Sequence, residues 1–229
     1  MFPAEDEASF SQFFQKLYDL GYDIDIVIAD DRGGLKQALL KVFPYAKLQL
    51  CHNHYTENIR VDLNIRTSDK YSHFYNSLVK HVFEALEDKI TEGLMHVFQN
   101  RCGHNRTLQN IVTTIKVRQE DLFSYFHFKD CPRTTNIIES YNSHFQARLK
   151  SIRSFQSFES ARRWLNAYII RRRTKKFTDC KGKFKKLNKH AALELTIKKQ
   201  AIWPDVLKDL GINKVNYFDF EEKFPEKTV

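Results

Sequence analysis

Two aspartates, a Cys-x-x-His pair and one glutamate are the residues of this sequence best placed to carry chemistry. Asp30 and Asp31 end a short apolar run. Cys51 and His54 follow a second short run, and Glu139 lies early in a predicted helix. Sites in open α/β sheets form at the carboxyl ends of strands, and a helix N-terminus tolerates negative charge. For the two aspartates taken alone, an ordinary turn or N-cap role is the better explanation.

A β-α-β unit over residues 22–51 is predicted to position the first four of these residues. The nearly continuous apolar run at 24–28 predicts a strand buried on both faces of a sheet. Residues 35–42 carry apolar side chains at helical spacing and stop before a proline, and 47–51 alternates like a second short strand. A further helix is predicted over 9–20, ending at a glycine.

Helices are predicted for most of the remaining chain. Residues 54–125 show apolar stripes at helical spacing throughout. A loop at 130–136 supplies the N-cap of the next helix at Thr134 or Thr135. Another amphipathic helix is predicted over 158–173, with an apolar side facing the core. The helix that carries Glu139 has an apolar side formed by Ile138, Tyr141, Phe145 and Leu149.

The composition excludes several classes of protein. With 42% hydrophobic and 14% aromatic residues in a chain of 229, a core can be buried and wholesale disorder is excluded. No apolar run approaches the length of a membrane span, and the acidic start lacks the pattern of a signal peptide. Scarce glycine and proline favour a helix-rich fold. Four scattered cysteines without a CxxC pair indicate a reduced, cytosolic protein.

Positive charge is concentrated in the second half of the chain. The net charge is +9, and residues 140–190 hold fifteen Lys or Arg and only two acids. This asymmetry favours a polyanionic partner, most simply nucleic acid, over a merely solvated basic face. Within it, the stretch 181–189 is strongly basic and is predicted to be irregular.

Three motifs follow one another in the order of a known family. The first runs from Asp30-Asp31 through Gly33-Gly34-Leu35 to Phe43-Pro44, the second is Cys51-His52-Asn53-His54, and the third is Thr134-Thr135-Asn136-Ile137-Ile138-Glu139. Their order, with a helical insertion between the second and the third, resembles the Mutator-type DDE transposases. That family includes bacterial insertion-sequence transposases and eukaryotic Mutator-like elements. The resemblance covers roughly residues 10–200.

The resemblance implies a ribonuclease-H-like fold in which three carboxylates hold two Mg²⁺ (or Mn²⁺) ions for in-line attack on a phosphodiester. It assigns Asp30 as the second acid and Glu139 as the third, converging within metal-bridging reach. The residues it suggests as support for this site are Asp31, Cys51, His54 and Asn136. The residues it suggests for contacts with DNA phosphates are Arg148, Lys150, Arg153, Arg162, Arg163, Arg171, Arg172 and Arg173.

The same resemblance divides the α/β chain into four parts. Residues 1–53 are a partial ribonuclease-H-like β-α-β part, 54–130 an all-helical insertion, 131–200 the third-acid helix with basic helices, and 201–229 a tail. The family's first acid and first three strands have no counterpart in the sequence. We therefore expect an incomplete catalytic region with an exposed strand edge at 24–29, little activity of its own and a tendency to aggregate.

Other readings of the site and of the function remain open at this stage. Cys51 and His54 are half of a zinc site if Cys102, His104 or Cys131 completes it, although the spacings are irregular. A non-catalytic DNA-binding remnant of a transposase, or a ribonuclease-H-like nuclease, would also explain the basic helices. Family resemblance implies double-stranded DNA at transposon ends and target, a homodimer when complete, no membrane, and a prokaryotic cytoplasm with association to the nucleoid.

Overall fold

A small parallel sheet and the helices that flank it in sequence lie where the apolar patterns predict them. The computed structural model describes residues 5–152 and 154–196, which divide into two units between Arg148 and Leu149. The first unit begins with α1 (Glu7–Asp19), β1 (Ile26–Ala29), α2 (Leu35–Val42) and β2 (Lys47–Leu50). The two strands pair in parallel, from Ile26 opposite Lys47 to Ala29 opposite Leu50. The predicted β-α-β unit is therefore confirmed.

The turn between β1 and α2 explains the paired glycines of the sequence. Gly34 has φ of +79°, a left-handed conformation that favours glycine. A Cβ at this position would lie 2.8 Å from Cβ of Glu7, so α1 approaches the turn too closely for any side chain. α1 packs against α2 here, and Phe14 meets Phe43 edge to face. The turn thus places the end of β1 beside the start of α2.

The prediction that the first strand is buried on both faces is wrong. All four residues of β1 are half-buried, whereas Leu48, Gln49 and Leu50 of β2 are fully buried. Among the described residues, β2 is the strand that pairs with β1, and the described sheet has two strands. β1 therefore keeps one edge without a strand beside it in this part of the chain.

A block of helices follows β2 and completes the first unit. It comprises α3 (His52–Asp62), α4 (Ser72–Leu78), α5 (Ile90–Val97), α6 (Arg106–Val117) and α7 (Gln119–Phe123), joined by short 3-10 and π turns. Leu78, Ile90 and Ile115 are fully buried in its core. α5 passes so close to the preceding π turn that a Cβ on Gly93 would lie 1.8 Å from the carbonyl oxygen of His81. The predicted helical stretch over 54–125 is confirmed.

A buried glutamine ties the helical block to the sheet. The side-chain nitrogen of Gln49 donates to the carbonyl oxygens of Leu50 (2.7 Å) and Leu122 (2.6 Å). Its side-chain oxygen accepts from the backbone N–H of Tyr125 at 2.9 Å. Both polar atoms of this fully buried side-chain amide are therefore hydrogen-bonded, as is usual for buried polar groups. The end of the helical block is fixed against β2, directly next to the residues that follow the strand.

The remaining elements are helical. α8 (Asn136–Leu149) leads to the second unit, which contains α9 (Phe158–Thr174), a 3-10 helix (Gly182–Leu187) and α10 (Ala192–Thr196). The 3-10 helix corrects the prediction of an irregular stretch at 181–189. α9 begins with a capping box between Ser157 and Ser160.

The apolar sides predicted for α8 and α9 are covered only in part. In α8, Tyr141, Phe145 and Leu149 are half-buried, but Ile138 is 53% exposed. In α9, Phe158 is exposed, contrary to its predicted core position, whereas the other predicted core residues, Ala161, Trp164, Leu165 and Tyr168, are half-buried.

The described chain is thus mostly helical with a small parallel sheet, an α/β arrangement. Within it, none of the helices has both the length and the apolar character needed to cross a membrane. The predicted tail at 201–229 lies outside the described residues.

Candidate metal centre

The imidazole of His54 faces two carboxylates that are far apart in sequence. Its Nδ1 lies 2.8 Å from Oδ1 of Asp30 and 3.8 Å from Oε1 of Glu139. Asp30 directly follows β1, His54 is in the first turn of α3 just after β2, and Glu139 is in the first turn of α8. Parallel strands bring their carboxyl ends to one edge of the sheet, so both strand-following residues meet there. All three side chains are between a third and a half exposed.

Cys51 adds a sulfur atom to this group. The ligand atoms of Asp30, Cys51 and His54 all lie within 4.8 Å of one another, and the described residues contain no other such group of three His, Cys, Asp or Glu. Cys102 packs instead in the core of the helical block. The zinc site that the sequence allowed with Cys102, His104 or Cys131 is therefore not formed in this part of the chain.

Thr135 connects the members of the group, a role that sequence reasoning missed. Its hydroxyl lies 2.6 Å from Oε1 of Glu139, 3.2 Å from Sγ of Cys51 and 3.4 Å from Nδ1 of His54. A hydroxyl has one proton, and the shortest contact shows that it is donated to the carboxylate. The sequence singled Thr135 out as an N-cap candidate and as part of the third motif, without a role at the site. Its position directly before α8 and four residues before Glu139 was the available signal, because residues at this spacing are neighbours on a helical turn.

The loop that carries Thr135 is fastened along the start of α3. The backbone N–H of His52 donates to the carbonyl oxygen of Arg133 at 3.0 Å. The side-chain amide of Asn53 donates to that of Asn136 at 2.8 Å. The N–H of Thr135 donates to Sγ of Cys51 at 3.3 Å. Asn136, a predicted supporting residue, thus helps to hold the loop against the start of α3.

Asp31 has a different partner from Asp30. It forms a two-pronged ion pair with Arg118 at the end of α6, with a distance of 2.7 Å between Nη2 and Oδ1. The hydrogen bonds and charge of Arg118 outweigh burial and hold the pKa of Asp31 below its ordinary value. Asp31 therefore joins the sheet to the helical block, while Asp30 faces His54.

The surroundings of Cys51 and His54 shift the pKa values of these two side chains in opposite directions. The hydrogen bond with Cys51, together with the negative charges of Asp30 and Glu139, raises the pKa of His54. Burial raises the pKa of the Cys51 thiol, but hydrogen bonds from Thr135 and from the backbone of His54 outweigh it and leave that pKa lowered. Cys51 also stands at the N-cap of α3, where the helix dipole favours a negative sulfur.

His52 is the buried member of the Cys-x-x-His segment. Its Nε2 lies 2.6 Å from the carbonyl oxygen of Leu122, and its ring meets those of Phe83, Phe123 and Tyr125 edge to face. Burial lowers the pKa of His52 to about 4, with the charge of Arg133 acting in the same direction. His52 therefore points away from the candidate site and stabilises the packing of the core.

Comparison with known proteins identifies the family. The family model described as "Transposase, Mutator family" matches residues 1–178. The chain belongs to the Mutator family of transposases. The transposase for insertion sequence element IS256 in transposon Tn4001 of Staphylococcus aureus is 25% identical over 170 residues, which cover 72% of this chain and 43% of that protein.

Two further relatives agree with this assignment. The transposase for IS1201 of Lactobacillus helveticus is 20% identical over 163 residues, covering 69% of this chain and 42% of the relative. The transposase for IS905 of Lactococcus lactis subsp. lactis (strain IL1403) is 24% identical over 173 residues, covering 71% and 41%. The chain thus spans under half the length of these insertion-sequence transposases.

The basic residues of α9 are exposed, as contacts with a polyanion require. Arg162 and Arg163 lie 3.4 and 3.2 Å from the carboxylate of Glu159, so part of their charge is balanced within the helix. The three arginines at 171–173 occupy the last turn, where positive charge also suits the helix dipole.

The other predicted DNA contacts lie around the end of α8. Arg148 is exposed in its last turn, and Lys150 is exposed just beyond it. Arg153 lies outside the described residues. These positions leave the predicted phosphate contacts accessible wherever the structure describes them.

Proposed function

We propose that this chain supplies the second and third acids of a ribonuclease-H-like centre that cleaves and transfers DNA strands at transposon ends. The observation that carries the proposal is the meeting of Asp30 and Glu139 at Nδ1 of His54. More than a hundred residues separate the two acids, and a whole helical block lies between them. Because the chain spans under half the length of its relatives, the complete reaction is not assigned to it alone.

The two carboxylates fit the hard cation that this chemistry uses. Mg²⁺ and Mn²⁺ take oxygen ligands and keep several waters, so two partly exposed carboxylates and a substrate phosphate can complete their coordination. Asp30 and Glu139 are the residues that would hold the ion. When bound, the ion supplies Lewis acidity for the attacking and leaving oxygens of an in-line displacement.

Neighbouring side chains hold both acids in place. Nδ1 of His54 donates to the carboxylate of Asp30, and the hydroxyl of Thr135 donates to that of Glu139 at 2.6 Å. Thr135 is buried, and its backbone N–H donates to Sγ of Cys51. Packing and this hydrogen bond therefore fix its position. His54 and Thr135 are positioning residues, because they act through the carboxylates of Asp30 and Glu139. Partners of this kind typically contribute tenfold to a hundredfold to metal affinity or activity.

The basic helices would hold the DNA. The exposed arginines of α9 and the residues near the end of α8 suit sequence-independent contacts with phosphates. Such contacts fix the orientation of a duplex without reading its bases. The homodimer and the paired transposon ends that the family resemblance implies stay predictions.

The proposal is tested by the effect of Mn²⁺ on the affinity of the chain for a fluorescent DNA duplex. A divalent cation normally weakens binding by competing for phosphates. A cation held by both acids instead bridges protein and phosphate, so Mn²⁺ should tighten binding several-fold over that competition. Asp30→Asn and Glu139→Gln should abolish the gain, whereas Glu92→Gln, an exposed acid of α5, should keep it. If Mn²⁺ weakens binding equally in all four proteins, the chain is a non-catalytic DNA-binding protein.

A further inference from the structure

We propose that Asp30, Cys51 and His54 also form a site for a thiophilic divalent cation of the Zn²⁺ class. The group combines a carboxylate oxygen, a thiol sulfur and an imidazole nitrogen, all within 4.8 Å of one another. This set differs from the oxygen-ligand site proposed above because it includes Cys51. The inference does not depend on any DNA chemistry, since it concerns binding alone.

The distances suit tetrahedral coordination. Zinc ligands at their usual bond lengths lie roughly 3.5 Å apart in a tetrahedral site. The pair formed by Nδ1 of His54 and Oδ1 of Asp30 is slightly closer, at 2.8 Å, and no pair in the group exceeds 4.8 Å. Shifts on the order of 1 Å, within reach of side-chain rotation, therefore produce a coordinated geometry. Oε1 of Glu139, 3.8 Å from Nδ1, or a water completes the fourth position.

All three donors lie within a regular element or directly beside one. Asp30 comes directly after β1, Cys51 directly after β2, and His54 one turn into α3. The spacing of Cys51 and His54 places both on one side of that first turn. Rigid presentation of this kind lowers the cost of assembling a metal site.

The surroundings of Cys51 suit a coordinated thiolate. The sulfur accepts the backbone N–H of Thr135 at 3.3 Å and lies 3.2 Å from the hydroxyl of the same residue. Hydrogen bonds to a metal-bound sulfur are the usual outer-shell support of thiolate sites. On binding, the thiol proton leaves to solvent, and the ring proton of His54 resides on Nε2 so that Nδ1 can coordinate.

The sulfur ligand decides which cations the group selects. Thiolate ligands favour Zn²⁺ and related soft cations, whereas Mg²⁺ takes oxygen donors. A soft cation in this group uses the carboxylate of Asp30. It therefore occupies a ligand that the proposed Mg²⁺ site requires.

Titration of the full chain with Co²⁺, a spectroscopic substitute for Zn²⁺, tests the proposal. We expect tetrahedral d–d bands in the visible and a sulfur-to-cobalt charge-transfer band in the near ultraviolet, both abolished by added Zn²⁺. Cys51→Ser should lose the near-ultraviolet band, while Cys131→Ser, a half-buried thiol outside the group, should keep it. Co²⁺ spectra without a sulfur band, or a band that survives in Cys51→Ser, would overturn the proposal.

Two further variants keep the test interpretable. Thr135→Val preserves the shape of the side chain but removes its hydroxyl, and it should weaken Co²⁺ binding about tenfold. Asp30→Asn should shift the visible bands while leaving the sulfur band. The two proposals fail in different ways. A Co²⁺–sulfur band, with Mn²⁺ weakening DNA binding equally in all four proteins of that test, rejects only the proposed function. Tighter DNA binding in Mn²⁺ that depends on Asp30 and Glu139, without a Co²⁺–sulfur band, rejects only the site for a thiophilic cation.

Discussion

Replacement of the buried histidine next to the site should change how the stability of the chain depends on pH. The pKa of His52 falls from 6.5 in a solvated chain to about 4 in the folded protein. Between these values the unfolded chain binds a proton that the folded chain does not. The contribution of His52 to the free energy of unfolding should therefore fall as the pH is lowered, by about 2 kcal/mol between pH 7 and pH 5 and about 3 kcal/mol by pH 4.

The variant His52→Phe isolates this contribution. The ring contacts with Phe83 and Phe123 are kept, and the carbonyl of Leu122 still accepts the Gln49 amide at 2.6 Å. Nδ1 of His52 is buried without a hydrogen-bond partner in the described residues, so its removal offsets part of the lost bond. At pH 7 we expect a cost of about 1 kcal/mol or less.

Urea unfolding at pH 7, 6 and 5, with EDTA present, measures the difference between the wild type and His52→Phe. The variant should lose its deficit on acidification and become the more stable protein by pH 5. The raised pKa of His54 acts with the opposite sign but is common to both proteins, so it cancels in the difference. His104→Gln, at an exposed position, should track the wild type. A difference that does not change with pH would refute the reasoning.

Three other changes probe the packing, the ion pair and the basic helix. Gly93→Ala should destabilise the chain by about 1–3 kcal/mol in thermal unfolding, because its Cβ would lie 1.8 Å from a carbonyl oxygen, whereas Gly33→Ala, in open space, should be nearly neutral. Asp31→Asn should cost about 1 kcal/mol in urea unfolding, and a double-mutant cycle with Arg118→Gln should assign that cost to their ion pair. Alanines in place of the arginines at 171–173 should reduce the slope of log affinity for DNA against log salt by up to about 3; an unchanged slope excludes them from phosphate contacts.

Local patterns predict the elements of this chain well. The alternation at 47–51 and the helical spacing at 35–42 are short-range signals, and both elements form as expected. The burial of β1 could not be predicted in the same way, because it depends on which strands pair beside it. The 3-10 helix at Gly182–Leu187 was missed because a basic stretch carries no apolar periodicity.

The candidate site shows the same contrast between what the sequence predicts and what depends on long-range contacts. Family resemblance pointed to Asp30, His54 and Glu139, and the fold brings these three side chains together. The ion pair of Asp31 with Arg118 joins residues 87 positions apart, so no local spacing pattern predicts it. It nevertheless distinguishes two adjacent aspartates that the sequence could not separate.

The most direct test of the central claim is a Mn²⁺ titration, followed by electron paramagnetic resonance, of the wild type, Asp30→Asn, Glu139→Gln and the double variant. If both carboxylates hold one ion, each single change should lower the affinity at least about tenfold, and the double variant should lose little more than the worse single one. Affinity that is unchanged in both single variants, or losses that add in full, would show that Asp30 and Glu139 do not share a metal.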